Sequence, residues 1–506
     1  MLFSNLRPKP LLRRLFVHEL VPALLALVSG AIWALCFARQ PLNAVSWVAL
    51  VPLLLLLGHR RAWWLGFLHG LAFWLVSIPW IAPTLEVYGQ LPPWMARLAL
   101  VAACGYLGSY SALFAWLAAP VWKRRGVLAL VGPPTLWIAV EWLRTYLLGG
   151  FPWNLAAYAW VDLPGALPLA AWIGCYGVSL LLLLANSGVA RGVADRRWQP
   201  VAVTLGPIVL LLVLGARSPA WTVRDSGVDG DPVRVVQPNI QNLVEWDRDL
   251  VESNYRQLLE LSGRACDAPG ALLVWPESAT WPYSYGRDAG LRSDVHRLAQ
   301  SGCSVLLNTV LESEEGDTNS ALLVSTTGKP RRYDKRHLVP FGEFVPMAGW
   351  LPFLDKLARN AGDFATGRGP ALLRWGEQEI GAAICFEIVY PAPLAEQVRH
   401  GATVLVTITN DAWYGDSSAP WQHFRAARFR AAENRRTVLR AAITGVSAII
   451  GPDGSVLQFL GVGEEGVLEA QVAGRRDLTV FTRAPWLVPL LCCFVGGFAI
   501  FVGRRR

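Results

Sequence analysis

Three side chains in the second half of the chain have the types that acyl transfer requires. Cys385 ends the apolar run GAAIC, Glu277 ends the run ALLVWPE, and Lys335 lies in a loop rich in proline, glycine and aromatic residues. A thiolate attacks a carbonyl carbon, a carboxylate moves protons, and an ammonium stabilises the negative charge that develops on oxygen. A lone cysteine is more often a buried structural residue. Because α/β folds build their sites at strand ends, its two companions favour a catalytic role.

The composition indicates a membrane protein. Of the 506 residues, 53% are hydrophobic and 16% are charged, whereas soluble domains carry about 25% charged residues. The net charge of +9 does not indicate a nucleic-acid partner, because the basic residues cluster in short loops between apolar runs, as in the cytoplasmic loops of membrane proteins. We therefore expect the chain to contact membrane lipid and not nucleic acid.

Eight apolar segments are candidate membrane spans, since about 20 apolar residues cross a bilayer. They lie near residues 19–38, 43–58, 63–82, 94–121, 127–148, 166–188, 199–216 and 485–503. A cleaved signal peptide is the alternative for the first segment. No convincing cleavage site follows it, so we interpret it as a retained helix.

Basic groups mark alternate loops between these segments. They occur at residues 13–14, 59–61, 123–125, 191–197 and 504–506. The positive-inside rule places these loops and both termini in the cytoplasm and the large insert in the bacterial periplasm. We therefore predict a transmembrane domain of seven helices at 1–216, a periplasmic domain at 217–484 and a last transmembrane helix at 485–506.

Strand-like and helix-like runs alternate in the insert, which predicts an α/β domain with sheets covered on both faces. Five of the eight cysteines lie inside apolar runs, where cysteine behaves as a small hydrophobe. Cys266 and Cys303 lie in the insert and can pair if it faces an oxidising compartment, but the sequence leaves this open. No residue spacing indicates a metal site, and we expect no metal or other cofactor.

Several motifs together resemble the signature series of the apolipoprotein N-acyltransferases, which are bacterial inner-membrane members of the nitrilase (carbon–nitrogen hydrolase) superfamily. They are VWPES, YDKRHLVPFGEFVP, AAICFEI, TNDAWYG followed by WQHFRAARFRAAENRR, and GGFPWN at 149–154. The layout of eight spans with an insert before the last one also matches. The resemblance implies an αββα sandwich of nitrilase type for the insert. It also implies a Glu–Lys–Cys triad at Glu277, Lys335 and Cys385.

The resemblance implies the last step of bacterial lipoprotein maturation. A membrane phospholipid would donate a fatty acyl chain to Cys385 as a thioester. The chain would then pass to the α-amino group of the N-terminal diacylglyceryl-cysteine of an apolipoprotein. In this interpretation Glu277 is the general base, Lys335 with a backbone N–H stabilises the oxyanion, and the enzyme is a monomer.

The resemblance also assigns supporting roles to Trp246, Glu343 and Glu387. Glu343 can orient Lys335 or the acceptor amine, although loop carboxylates often only brace the backbone. Trp246 is one of 24 tryptophans, and ordinary packing is the alternative for it.

Other positions near the motifs have less specific interpretations. Phe386 stands where the family is expected to have a tyrosine, so a hydroxyl is not needed there, and its ring can still pack on the acyl chain. Asn410 and Trp413 follow another strand-like run and are candidates to support the site or bind substrate. His423 lies in an arginine-rich helical run, where a structural role is favoured over that of a base.

The segment 347–362 is amphipathic. It is either a gate that dips into the membrane interface or an ordinary packed loop.

Two functions compete with the acyltransferase. One is a membrane-tethered nitrilase that hydrolyses a small amide or nitrile, and the other is a scaffold without activity. The complete set of triad residue types disfavours the scaffold. A tether needs one helix rather than eight, so the number of spans favours an enzyme that handles lipid.

Overall fold

The computed structural model describes residues 19–217, 230–240, 247–266, 269–326, 328–340, 342–344 and 364–505. Two predictions lie outside these residues, namely the role of Trp246 and the gate at 347–362.

Apolar helices make up the first part of the chain. They are α1 (Val21–Leu35), α2 (Val51–Leu56), α3 (Ala62–Ser77), α4 (Ile81–Val87), α5 (Pro93–Trp122), α6 (Val127–Tyr146), α7 (Ala166–Asp195) and α8 (Gln199–Arg217), with short 3-10 helices at Asn43–Trp47, Leu147–Gly149 and Ala156–Trp160. The insert contributes α9 (Arg248–Ala265), α10 (Ala289–Gln300), α11 (Pro391–Arg399), α12 (Ala419–Asn434) and α13 (Val480–Arg483), and α14 (Leu487–Arg504) follows it.

Within the described residues, five helices are long and apolar enough to cross a membrane, and the bent pair of α3 and α4 makes a sixth if it is one span. The five are α5 to α8 and α14. Pro79 lies at the break in the bent pair, where it removes a backbone donor and restricts the residue before it. The first two predicted spans correspond to the shorter apolar helices Val21–Leu35 and Asn43–Leu56. The chain is a membrane protein, and the count of eight spans stays a prediction.

Two six-stranded sheets form the core of the insert. The strands are β1 (Asp231–Gln237), β2 (Leu272–Val274), β3 (Ser304–Ser313), β4 (Gly316–Val324), β5 (Arg331–Asp334), β6 (Leu373–Trp375), β7 (Gln378–Ile384), β8 (Val404–Thr409), β9 (Val438–Ala442), β10 (Ser447–Ile450), β11 (Val456–Leu460) and β12 (Gly466–Val472). The first sheet has the order β12-β1-β2-β3-β4-β5 and the second has the order β11-β10-β9-β8-β7-β6. The neighbours β1-β2-β3 and β7-β8-β9 run parallel, so their carboxyl ends meet at one edge of each sheet.

The sheets face each other across a buried apolar layer that includes Val235, Leu306, Ile384 and Val406. Helices α9 and α10 cover the outer face of the first sheet, where Leu258 and Val295 join the side chains of its strands in a second cluster. Helices α11 and α12 cover the second sheet. The predicted αββα arrangement is therefore confirmed.

Helix α12 lies between the second sheet and the membrane helices and is buried around most of its circumference. Its Glu433 accepts a hydrogen bond of 2.7 Å from the backbone N–H of Cys175. This N–H follows a break in α7 at Gly174, which has φ +66°, and a Cβ there would lie 2.5 Å from the ring of Phe481. The apolar helices and the αββα domain thus share one packed interface.

Cys266 at the end of α9 and Cys303 just before β3 form a disulfide that closes a separation of 37 residues. The structure thereby answers the question that the sequence left open.

Candidate active site

Cys385 lies at a sharp turn between a strand and a short helix. Strand β7 ends at Ile384, and Cys385 begins the 3-10 helix Cys385–Val389 with φ +52°. An L-residue in this left-handed region carries backbone strain of about 1–3 kcal/mol, which the surrounding structure must hold. The residue is buried.

Glu277 follows β2 and reaches the same place from the first sheet. Its Oε1 accepts a hydrogen bond of 3.0 Å from Asn319 Nδ2, and its Oε2 accepts one of 3.0 Å from the backbone N–H of Asn410. The carboxylate is therefore fixed at both oxygens, and its charge acts on the nearby thiol of Cys385.

Lys335 directly follows β5 and is fully buried. Its Nζ lies 2.8 Å from Glu343 Oε1 and 3.5 Å from Glu277 Oε1. Glu343 is held in turn by the backbone N–H of Val339, which donates to its Oε2 at 2.8 Å. One ammonium thus bridges two carboxylates beside the thiol.

The electrostatics of this cluster favour a protonated thiol at rest. Burial raises the pKa of Cys385, and the negative charge of Glu277 adds to this effect while Lys335 opposes it. Burial also raises the pKa of Glu277, and Lys335 only partly compensates. For Lys335, burial opposes the charge, but Glu343 and Glu277 raise its pKa above the ordinary value. The lysine therefore stays charged, and the thiol needs a neighbouring base in order to react.

Sequence reasoning missed Asn319 and Asn308, which orient the two carboxylates. Asn319 Nδ2 donates to Glu277 and also to Glu343 Oε1 at 2.8 Å. Its Oδ1 accepts from Asn308 Nδ2 at 2.7 Å, and Asn308 Oδ1 accepts from the backbone N–H of Ser278 at 2.9 Å. This relay fixes which end of the Asn319 amide faces the carboxylates. No motif marks these positions, because the contact depends on the register of β3 and β4.

Glu387 lies behind the nucleophile rather than beside the thiol. It accepts hydrogen bonds from the hydroxyl of Tyr333 and from the backbone N–H groups of Ile384, Arg336 and His337, at 2.7–3.1 Å. It thereby ties the turn at Cys385 to the loop that follows Lys335.

Phe386 faces the membrane helices. Its ring stacks on Phe151 at 6.0 Å and on Trp153 at 6.1 Å between centroids, and it meets Tyr390 edge-on. Both stacking partners belong to the GGFPWN motif, so this motif packs against the residue that follows the nucleophile. That Phe386 packs on an acyl chain stays a prediction.

Asn410 and Trp413 occupy different places. Asn410 contributes the backbone donor to Glu277, and its side chain accepts from the N–H of Ala412. Trp413 is 41% exposed, and its ring packs on Tyr88 at 4.4 Å, in the segment that follows α4. Within the described residues, no group of His, Cys, Asp and Glu side chains is arranged to hold a metal ion.

Two family models match the chain. One is described as the apolipoprotein N-acyltransferase N-terminal domain and matches residues 29–188. The other is the carbon–nitrogen hydrolase model and matches residues 232–477. Among solved structures, a variant of a nitrilase-superfamily amidase from Nesterenkonia is 21% identical with a TM-score of 0.37, covering 49% of this chain and 93% of its own.

Relatives of similar length carry one name, apolipoprotein N-acyltransferase. Those from Ralstonia nicotianae and Methylococcus capsulatus are 33% and 31% identical, covering 84% and 96% of this chain and 82% and 96% of their own. The protein from Geobacter metallireducens is 38% identical over 468 residues, which is 89% of either chain. The chain therefore belongs to the apolipoprotein N-acyltransferase family.

Proposed function

We propose that the protein moves a fatty acyl chain from a membrane phospholipid, through a thioester on Cys385, to the α-amino group of an N-terminal diacylglyceryl-cysteine on an apolipoprotein. The observation that carries the proposal is the buried cluster of thiol, carboxylate and ammonium beside the membrane helices. The charges of Glu277 and Lys335 both act on the Cys385 thiol. Phe386, the next residue, stacks on Phe151 and Trp153.

In the first half of the reaction, Glu277 takes the proton from the Cys385 thiol as the sulfur attacks the ester carbonyl of the phospholipid. Negative charge develops on the carbonyl oxygen, and Lys335 together with a backbone N–H stabilises it. When the tetrahedral intermediate collapses, the carbon–oxygen bond of the ester breaks. The lysophospholipid leaves with the proton that Glu277 held, and the acyl group remains on sulfur.

In the second half, the α-amine of the apolipoprotein attacks the thioester. An α-amine has a pKa near 7.7–8.0, so a useful fraction is already neutral at physiological pH. Glu277 accepts the proton that the nitrogen loses and returns it to the sulfur as the carbon–sulfur bond breaks. The products are an amide and the original thiol, and the cycle uses no cofactor.

We also propose the topology that the basic loops indicate. Residues 1–216 and 485–506 lie in the inner membrane of a bacterium with both termini in the cytoplasm, and residues 217–484 form the periplasmic catalytic domain. The disulfide between Cys266 and Cys303 is consistent with an oxidising compartment. The enzyme acts as a monomer with lipid and lipoprotein partners.

The test is incubation of the purified protein with acyl-labelled phospholipid and a diacylated lipopeptide. We expect label in amide linkage to the lipopeptide, no label with Cys385→Ala, and unchanged labelling with Cys492→Ala, which removes another buried cysteine. Release of the label as free fatty acid, with none on the lipopeptide, would instead indicate a hydrolase.

A further inference from the structure

The carbonyl group of the nucleophile is held by a side chain that takes no part in the reaction described above. His423 Nε2 lies 3.0 Å from the backbone oxygen of Cys385, and the histidine is fully buried. A carbonyl oxygen only accepts hydrogen bonds, so Nε2 must carry a proton and donate it.

The other ring nitrogen of His423 has two neighbours. Nδ1 lies 3.1 Å from Asp411 Oδ1 and 3.2 Å from Arg440 Nη2. In the neutral ring Nδ1 accepts from Arg440, and in the charged ring it donates to Asp411. The bond from Nε2 to the Cys385 carbonyl forms in both cases.

Asp411 follows β8 and Arg440 lies in β9, and hydrogen bonds hold both side chains in place. Asp411 accepts from Thr409 Oγ1 at 2.9 Å and from Arg440 Nη2 at 2.6 Å. Arg440 Nε donates to the carbonyl of Val446 at 2.9 Å. Asp411 and Arg440 are both buried, and these hydrogen bonds hold the imidazole in one orientation.

The membrane helices complete the support from the other side. The ring of Trp153 stacks on His423 with 5.5 Å between centroids. Trp153 Nε1 donates to Gln422 Oε1 at 2.7 Å, and Gln422 Nε2 donates to the carbonyl of Ser77 at 2.9 Å. His423 is thus clamped between the catalytic sheet and a loop of the membrane region.

A hydrogen bond to the Cys385 carbonyl also fixes the direction of the N–H group in the same peptide. The peptide between Cys385 and Phe386 is planar and trans, so its C=O and N–H point in opposite directions. Fixing the oxygen on His423 turns the Phe386 N–H to the opposite side. The positive φ of Cys385 is a conformation that the chain adopts only where the surroundings hold it.

We propose that His423 is a positioning residue that aims the Phe386 N–H at the oxyanion formed beside Lys335. Asp411 and Arg440 orient the imidazole, and the ring of Trp153 stacks on it. The inference rests on the proposed function in one respect, namely that Cys385 attacks a carbonyl group. It goes beyond that function in assigning the alignment of the backbone donor to His423.

The test compares two small reagents on the same thiol. 4-Nitrophenyl acetate acylates Cys385 through a tetrahedral oxyanion, whereas iodoacetamide alkylates it by direct displacement without one. Dividing the acylation rate by the alkylation rate cancels any change in access or thiolate fraction. Each rate is measured at Cys385 by peptide mass spectrometry, with Cys385→Ala as the background for the other cysteines.

In His423→Phe the ring and its stacking on Trp153 are kept, but the donor is lost. We expect the rate ratio to fall about 100-fold, as when one oxyanion donor is removed. His423→Gln keeps a donor at similar reach and should recover the ratio to within about tenfold of the wild type. His400→Phe is the matched control, because His400 is exposed and its ring contacts the backbone carbonyl of Glu396. Its ratio should not change.

A folded His423→Phe variant with the wild-type ratio would overturn the proposal, as would a folded His423→Gln variant that loses as much as His423→Phe. Thermal unfolding decides which variants are folded, and His423→Met, which also lacks a donor, replaces the phenylalanine variant if that one does not fold. Neither reagent is a lipid. If the wild type reacts with 4-nitrophenyl acetate but not with phospholipid, the proposed function fails. The rate ratios of the His423 variants still test the positioning role in that case.

Discussion

Two buried glutamates near Cys385 have opposite surroundings. Glu387 accepts hydrogen bonds from three backbone N–H groups and a tyrosine hydroxyl. Burial alone would raise the pKa of Glu387, but the His337 side chain, the backbone N–H groups of Ile384 and Arg336, and the charge of Lys335 lower it below the ordinary value. Glu277 accepts from one backbone N–H, that of Asn410, and has a second carboxylate, Glu343, near it. Burial raises the pKa of Glu277.

The difference shows which carboxylate can exchange a proton. A carboxylate saturated with donors stays ionised and holds the backbone together, whereas a desolvated one can take up and release a proton near neutral pH. The two residues look alike in sequence, since both end an apolar strand or follow it closely. Their roles are separated by the hydrogen bonds around them.

The largest effect on rate is expected from Glu277→Gln. The amide has the same shape but cannot take the thiol proton, so the rate of thioester formation in a single turnover should fall about 10³-fold. The melting temperature should stay near that of the wild type. A near-normal single-turnover rate would move the role of base to another residue and remove the contrast with Glu387.

Lys335→Arg is expected to lower the same rate by a smaller factor, about 10- to 100-fold. The charge that compensates Glu277 and Glu343 is kept, but the planar guanidinium does not fit a site shaped around a compact ammonium. The measurement is again single-turnover thioester formation. Full activity would mean that charge alone is sufficient at this position.

Glu387→Gln should act mainly on stability, with less than about a tenfold effect on the rate. Removing the charge leaves buried backbone donors poorly paired, at a cost of about 2–4 kcal/mol in the free energy of unfolding. Because the pKa of Glu387 is lowered in the folded state, its stabilisation is present above the unfolded pKa and is lost as the pH falls through the folded pKa.

The difference in unfolding free energy between wild type and Glu387→Gln should therefore be full near pH 7 and shrink in acid. Denaturant unfolding in detergent at several pH values measures it. A rate loss as large as that of Glu277→Gln, with unchanged stability, would contradict the structural role of Glu387.

The smallest effect on rate is expected from Cys266→Ser. The disulfide with Cys303 joins the end of α9 to the start of β3, whereas Glu277 follows the opposite end of the neighbouring parallel strand β2. For a closed loop of this size, its loss should lower the free energy of unfolding by about 3–4 kcal/mol and leave thioester formation unchanged. A large rate loss at a temperature where the variant is folded would mean that this layer also controls the site.

The strand and helix pattern was sufficient to predict an α/β insert, and polar residues of suitable chemistry at the ends of apolar strands favoured the convergence of Glu277, Lys335 and Cys385. The αββα arrangement and the triad roles were implied by the family resemblance and not by the strand pattern. The strand-like runs read from the sequence did not include β5, β6, β9, β11 or β12. Strand β5 is a short polar edge strand, and the apolar pattern of β9 is interrupted by Arg440.

The partners of these residues could not be predicted. Asn319 and His423 reach the site through strand register and helix docking, which leave no local pattern. The positive φ of Cys385 is likewise set by contacts far away in sequence. Pro79 lies at the bend between α3 and α4, and the first two predicted spans correspond to apolar helices of 10–17 residues, so the count of eight spans stays a prediction.

The central claim is that the sulfur of Cys385 carries the acyl chain, with Glu277 and not Glu387 as its base. Intact-protein mass spectrometry after mixing with phospholipid alone tests it most directly. We predict the added mass of one acyl group on Cys385 in the wild type and in Glu387→Gln, little in Glu277→Gln, and its loss when diacylated lipopeptide is added. An acyl adduct that persists in Cys385→Ala, or transfer to the lipopeptide by that variant, would contradict the claim.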